Sequence, residues 1–193
     1  MKFSFIIAVL TLVSVAQASV IQELEPNNDI NSAQQIPVTA FTLGYNPIIA
    51  NSATLPWVTI EGTGDGSTRD FYSFVVPNSG MIASIFDIDN SSRFNPILTL
   101  YDSSGNEIAQ NERMNNPTDP GSRSSGDAYL THTFNTAGAY IIAVGDRMSG
   151  SPVGGIRNGG VYQVHISLGY TEAQLRAAYG MGDPHFKCSL LCS

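Results

Sequence analysis

The sequence predicts an all-β protein, an antiparallel β-sandwich with a short C-terminal helix. From residue 41 onward, short runs rich in β-branched and aromatic residues alternate with clusters of Gly, Asn, Asp and Ser, which are typical of strands joined by turns. No helical periodicity of useful length interrupts this series. Charged residues make up only 13% of the 193 residues, a composition typical of secreted β-proteins rather than of helical cytoplasmic enzymes.

The predicted strands share extended, apolar character and are bounded by turn residues. They are Trp57 to Ile60, Phe71 to Val76, Met81 to Asp89, Ile97 to Tyr101, Glu107 to Gln110, Tyr129 to Phe134, Ala139 to Val144 and Val161 to Leu168. Alternation is clearest in the last run, where Gln163, His165 and Ser167 share the face opposite the apolar residues. We therefore expect His165 to face solvent.

The two ends of the chain differ in composition from its middle. Residues 1–18 combine a basic start, an apolar run and the small-residue pattern Ala16-Gln17-Ala18, which indicates a secretory signal peptide cleaved after Ala18. Residues 19–170 then form the sandwich. In residues 171–193, a capping box at Thr171 to Gln174 predicts a short helix, followed by a disordered tail. We expect a secreted, extracellular monomer with no membrane anchor.

The charge and the cysteines narrow the possible partners and the chemistry. The formal net charge is −7, which repels phosphate backbones, so nucleic acid is not an expected partner. Both cysteines, Cys188 and Cys192, lie in the tail, so we expect no disulfide in the body of the domain.

Two oxygen-rich stretches predict a cation site. Asp70 lies where a glycine-rich loop meets an apolar strand. Upstream, Glu23, Glu25 and Asn27 alternate with Leu24 and a proline, so an extended backbone would place their side chains on one side.

The acidic segment also fits a simpler interpretation. Its carboxylates can be solvated, with Asn28 or Asp29 capping a helical turn from Ser32 to Gln35. The residues alone leave both interpretations open.

The order and spacing of several motifs resemble the bacterial pre-peptidase C-terminal domain, and the resemblance covers most of the mature chain. The motifs are Glu25 to Asp29, Ala33-Gln34, Asp70 to Phe74, Asn95 to Gly105, Asp127 to Leu130, Ala137 to Tyr140 and Gly160 to Tyr162. The resemblance implies a jelly-roll-like β-sandwich without catalytic residues of its own. Relatives of that family include the collagen-binding domains of clostridial collagenases.

The same resemblance implies calcium binding by the acidic segment and the loop before the Asp70 strand. Its ligands would be Glu23, Glu25, Asn27, Asn28 and Asp70. This chain departs from the pattern three residues before Asp70, where Ser67 replaces an expected carboxylate, and Asp65 nearby could substitute for it. Carboxylates and amides suit a hard cation that takes six to eight oxygens.

A second resemblance lies in the tail. Residues Gly182 to Phe186 are similar to the opening of a von Willebrand factor type D domain, and the chain ends a few residues later. The protein could therefore be the front part of a longer multidomain protein.

No motif for catalysis is present. The sequence has no Gly-x-Ser-x-Gly elbow, no His-Glu-x-x-His pair and no phosphate-binding loop. We therefore expect a non-enzymatic, secreted binding module whose extracellular ligand, a protein or a polysaccharide, is unknown. The alternatives are a small secreted hydrolase working through Asp87, Asp89 or His132, and an adhesive or structural fragment of a longer extracellular protein.

Overall fold

The computed structural model describes residues 20–77, 82–111, 122, 126–147 and 154–169, which form an all-β fold of two sheets. A single turn of 3-10 helix, Val38–Ala40, accompanies the strands. The strands are β1 (Val20–Gln22), β2 (Gln34–Gln35), β3 (Trp57–Thr63), β4 (Asp70–Val76), β5 (Ile82–Ser92), β6 (Pro96–Asp102), β7 (Glu107–Asn111), β8 (Tyr129–Phe134), β9 (Gly138–Asp146) and β10 (Val161–Gly169). The predicted β-sandwich is confirmed.

Each sheet has five strands. The first sheet has the order β1-β3-β10-β5-β8 and the second the order β2-β4-β9-β6-β7. The longer strands pair antiparallel, as expected, whereas the short strands β1 and β2 pair parallel with β3 and β4. The chain between β1 and β2 therefore crosses from an edge of one sheet to an edge of the other.

Apolar residues from both sheets meet in one core. Phe74 of the second sheet lies with its ring centroid 5.6 Å from that of Phe86 in the first sheet, and 6.0 Å from that of Phe134. Val164 and Ile142 are fully buried in the same cluster. Because strand residues alternate between faces, this inward row is what the sequence periodicity predicted.

The expectation that His165 faces solvent is wrong. Its side chain is only 1% exposed, and Ser167 is also buried. The reason is that β10 is the central strand of its sheet, so residues of β3 and β5 flank His165 on both sides, with Thr59 Oγ1 2.8 Å from Nδ1 and Asp89 Oδ2 3.3 Å from Nε2. Alternation shows which residues share a face but not how closely that face is packed.

The expected helical turn from Ser32 to Gln35 is also absent. The Asp29 carboxylate caps a turn instead, accepting hydrogen bonds from the backbone N–H groups of Asn31 and Ser32, which lower its pKa. Gln34 and Gln35 then pair with β4, because the edge of that strand offers partners for their backbone groups.

Several predictions concern residues outside the described ranges. These are the signal peptide in residues 1–18, the helix and tail in residues 171–193 with Cys188 and Cys192, and the similarity at Gly182 to Phe186. Within the described residues, no helix is both long and apolar enough to cross a membrane.

Candidate metal centre

Hydrogen bonds attach the segment between β1 and β2 to both sheets. The backbone N–H of Glu23 donates to the Glu61 carbonyl of β3 at 2.9 Å, and the Thr63 N–H donates to Glu23 Oε2 at 2.7 Å. On the other side, the N–H of Phe71 in β4 donates to the Asn27 carbonyl at 2.8 Å. The segment therefore joins the two sheets at one end of the sandwich.

The backbone of this segment differs from the expected extended strand. It bends at Glu25, and the Glu25–Pro26 peptide bond is cis. Even with this bend, Glu23 and Glu25 each bring a carboxylate oxygen within 4.8 Å of one from Asp70.

Three carboxylates converge at the start of β4. Glu23, Glu25 and Asp70 each place one carboxylate oxygen within 4.8 Å of the other two. Asp70 is fully buried, Glu23 is half-buried and Glu25 is exposed, so the group runs from the interior to the surface. An arrangement open on one side to solvent allows an ion to enter.

Two buried oxygens of this group have no hydrogen-bond donor in the described part of the chain. Asn27 is 0% exposed, and its Nδ2 donates to Glu23 Oε1 at 3.0 Å while its Oδ1 is unpartnered. Asp70 Oδ1 is likewise buried and unpartnered. Buried oxygens without a donor are costly, and a cation is one partner that would satisfy both atoms.

Two tyrosines that the sequence analysis did not single out complete the site. The hydroxyl of Tyr72 in β4 donates to Glu23 Oε1 at 2.7 Å, and that of Tyr162 in β10 donates to Asp70 Oδ2 at 2.5 Å. The two hydroxyls are also 2.5 Å apart. The signal that could have identified them is a tyrosine in a buried strand, since its hydroxyl needs a polar partner.

The site strongly perturbs Asp70 and the two tyrosines. Burial, together with the nearby charge of Glu23, raises the pKa of Asp70 to about 9. Burial and the same carboxylates raise the pKa values of Tyr72 and Tyr162 well above 10. A cation placed among these oxygens would relieve this repulsion.

The pKa of Asp70 predicts a pH dependence for the metal-free protein. Between the ordinary value of 3.8 and about 9, the native state holds a proton that the unfolded chain releases. Stability in a chelator should therefore decrease as the pH rises across this interval. Urea unfolding from pH 5 to pH 8 measures how steeply the free energy of unfolding falls with pH, and Asp70→Asn should make this fall shallower. An unchanged or steeper fall in that variant would contradict the assignment to Asp70.

The remaining predicted ligands, Asn28 and Asp65, both lie within hydrogen-bond distance of Thr68 Oγ1. Asn28 Oδ1 accepts a hydrogen bond from Thr68 Oγ1 at 2.9 Å. The Asp65 carboxylate accepts the backbone N–H groups of Ser67 and Thr68, and these bonds lower its pKa to about 2. Asp65 thus caps the glycine-rich loop, and among the described residues the converging carboxylates are those of Glu23, Glu25 and Asp70.

The residues considered for hydrolysis lie elsewhere, on the first sheet. Asp89 contacts His165 rather than His132, and Thr59 bonds the other ring nitrogen of His165. Although this order of acid, imidazole and hydroxyl resembles a hydrolytic triad, Thr59 is 4% exposed and the other two are 1% exposed. A substrate cannot reach the hydroxyl without local opening of the structure.

His132 lies on β8, and its ring packs edge-on against that of Phe134, with the ring centroids 4.8 Å apart. Burial lowers the pKa of His132. Asp87 is fully buried on β5, at the register position opposite His165.

No protein-family profile matches this chain, and no curated protein matches it. Among solved structures, the pre-peptidase C-terminal domain of a collagenase from Bacillus anthracis is similar at 17% identity and TM-score 0.37, covering 56% of this chain and 87% of that one. PliG from Aeromonas hydrophila, a periplasmic inhibitor of g-type lysozyme, is similar at 12% identity and TM-score 0.40, covering 78% and 99%. A carbohydrate-binding module from Cellvibrio mixtus lichenase 5A, solved with cellotriose, is similar at 15% identity and TM-score 0.30, covering 59% and 88%. Similarities at this level do not assign the chain to a family.

Proposed function

We propose that this protein is a non-catalytic, extracellular binding module in which a calcium ion joins the N-terminal segment to the β-sandwich. The observation that carries the proposal is the group formed by Glu23, Glu25 and Asp70, together with the buried, unpartnered oxygens of Asn27 and Asp70. Carboxylates placed this close to a buried one repel each other unless a cation or a proton lies among them.

The donor atoms match a hard cation. All are oxygens, from three carboxylates and one amide, and among the described residues no sulfur or imidazole ligand belongs to the group. Calcium takes six to eight oxygens in flexible geometry and readily completes its shell with carbonyls and water. Magnesium demands a tighter octahedron and retains its water, while zinc prefers nitrogen and sulfur.

Within this site the protein's own residues have distinct tasks. Glu23 would connect the ion to the strand edge, because its second oxygen accepts the Thr63 N–H. Asp70 would connect it to the interior through the Tyr162 hydroxyl. The ion would supply positive charge and no redox chemistry, so its role would be to fix the segment in place.

Calcium should therefore raise the melting temperature, and a chelator should lower it. Binding to the folded state alone adds RT ln(1 + [L]/Kd), roughly 2.7 kcal/mol at a hundredfold excess of calcium over Kd. Differential scanning calorimetry measures this shift, with magnesium at the same concentration as the control. The metal assignment fails if calorimetry detects no binding at millimolar calcium and chelation leaves both melting and proteolysis of residues 20–40 unchanged.

A further inference from the structure

A polar cavity of about 390 Å³ lies on the first sheet, between the edge strand β8 and the connection formed by residues 43–56. Asn51 and Leu55 of the connection form one wall. Tyr129, Thr131 and Thr133 of β8 line the other side. Because these three alternate along the strand, they project from one face of it.

The connection is held in place, so its wall of the cavity is formed before any ligand arrives. Ser52 Oγ donates to the Asn46 carbonyl and accepts the Asn46 N–H, both at 2.8 Å. Trp57 Nε1 donates to the Gly44 carbonyl at 2.8 Å, and Leu55 is fully buried. A preformed wall reduces the entropy lost on binding.

The cavity's polar groups are available to a ligand. Within the described part of the chain, the exposed side chains of Asn51, Thr131 and Thr133 make no hydrogen bond. Together they offer hydroxyl and amide groups, which both donate and accept. His132 alternates with the two threonines along β8, so its ring lies on the other face of the strand, against Phe134.

The lining is also uncharged. Among the described residues that line the cavity there is no Asp, Glu, Lys or Arg. Leu55 and Ile85 line the cavity but are almost fully buried, so the apolar surface open to a ligand is mainly that of the half-buried Tyr129. Neutral hydrogen-bonding groups next to apolar surface match the hydroxyl groups and C–H faces of a sugar.

We propose that this cavity binds an uncharged saccharide, with the hydroxyls of Thr131 and Thr133 and the Asn51 amide bonding to sugar hydroxyls. The inference rests on the proposed binding role and names its ligand class. An anionic ligand would find no cationic side chain among the described lining residues. A flat, apolar protein surface would leave the unpartnered polar groups unsatisfied.

The test is calorimetric titration of the full chain with glucose, galactose, mannose, N-acetylglucosamine, cellobiose and chitobiose, together with pull-down on insoluble cellulose, chitin and starch. At least one probe should bind. Thr131→Val keeps the side-chain shape and removes one hydroxyl, so it should weaken binding by about three- to tenfold. Thr136→Val, an exposed threonine outside the cavity lining, should leave affinity unchanged.

A second measurement locates the site without any substitution. Methyl signals of Thr131 and Thr133 should shift in NMR spectra of the wild-type protein when the saccharide is added. The inference is overturned if no probe binds at millimolar saccharide, if those signals do not move, or if Thr131→Val and Thr136→Val lose affinity equally. Such a failure leaves the calcium-dependent melting untouched, and loss of the calcium response leaves the saccharide titration intact.

Discussion

Replacing Gly62 with alanine should lower the free energy of unfolding by about 3 kcal/mol, because overpacking and a broken buried hydrogen bond add together. A Cβ atom at this position of β3 would lie 2.2 Å from Cζ of Tyr162. The Tyr162 ring would have to move, and its hydroxyl would lose the bonds to Asp70 and Glu23. Urea unfolding in the presence of calcium measures the loss.

Gly44→Ala is the matched control for this substitution. A Cβ atom at Gly44 would have no neighbour within 4 Å, and the residue does not have the positive φ that penalises alanine. Its effect should stay within about 0.5 kcal/mol, since surface changes away from special features are small. Equal destabilisation by the two variants would show that the contact with Tyr162 is not the cause.

Asp70→Asn should remove most of the stabilisation by calcium. The substitution keeps the shape of the side chain and removes the buried charge that the ion would neutralise. Every tenfold loss of calcium affinity removes about 1.4 kcal/mol of the stabilisation at saturating calcium. The measurement is the difference in melting temperature with calcium and with chelator, compared between the variant and the wild type.

In chelator, the same variant should be at least as stable as the wild type. Without an ion, burial and Glu23 disfavour the ionised Asp70 carboxylate, so at neutral pH the wild type must take up a proton when it folds. The order of stabilities should therefore reverse when calcium is added. Asp102→Asn is the control, because that carboxylate caps the turn between β6 and β7 and should leave the calcium response intact. An unchanged calcium response in Asp70→Asn would exclude Asp70 as a ligand.

Gly62→Ala and Asp70→Asn act on the same network of contacts around Tyr162. Its ring packs edge-on against Phe94 in the core, with the ring centroids 6.0 Å apart. Its hydroxyl lies within hydrogen-bond distance of Asp70, Glu23 and Tyr72. Tyr162 belongs to the first sheet, whereas Asp70 and Tyr72 belong to the second. An ion at this site would therefore stabilise the packing of the two sheets as well as the segment it holds.

Much of the fold follows from local patterns. The longer strands lie where β-branched and aromatic runs predicted them, and Asp102 caps the turn from Ser104 to Asn106, as turn residues at that position indicate. Glu23, Glu25 and Asp70 could be picked out because two oxygen-rich stretches flank apolar runs. The calcium ion itself remains a prediction.

The tertiary structure decided what depends on neighbours distant in sequence. By itself, the sequence determined which residues alternate along each strand, because side-chain direction follows from the backbone period of two. It did not determine that β1 and β2 join the sheet edges in parallel, or that His165 is enclosed by Thr59 and Asp89. Pairing and burial are set by which strands become neighbours, and that choice minimises the free energy of the whole core rather than of any one segment.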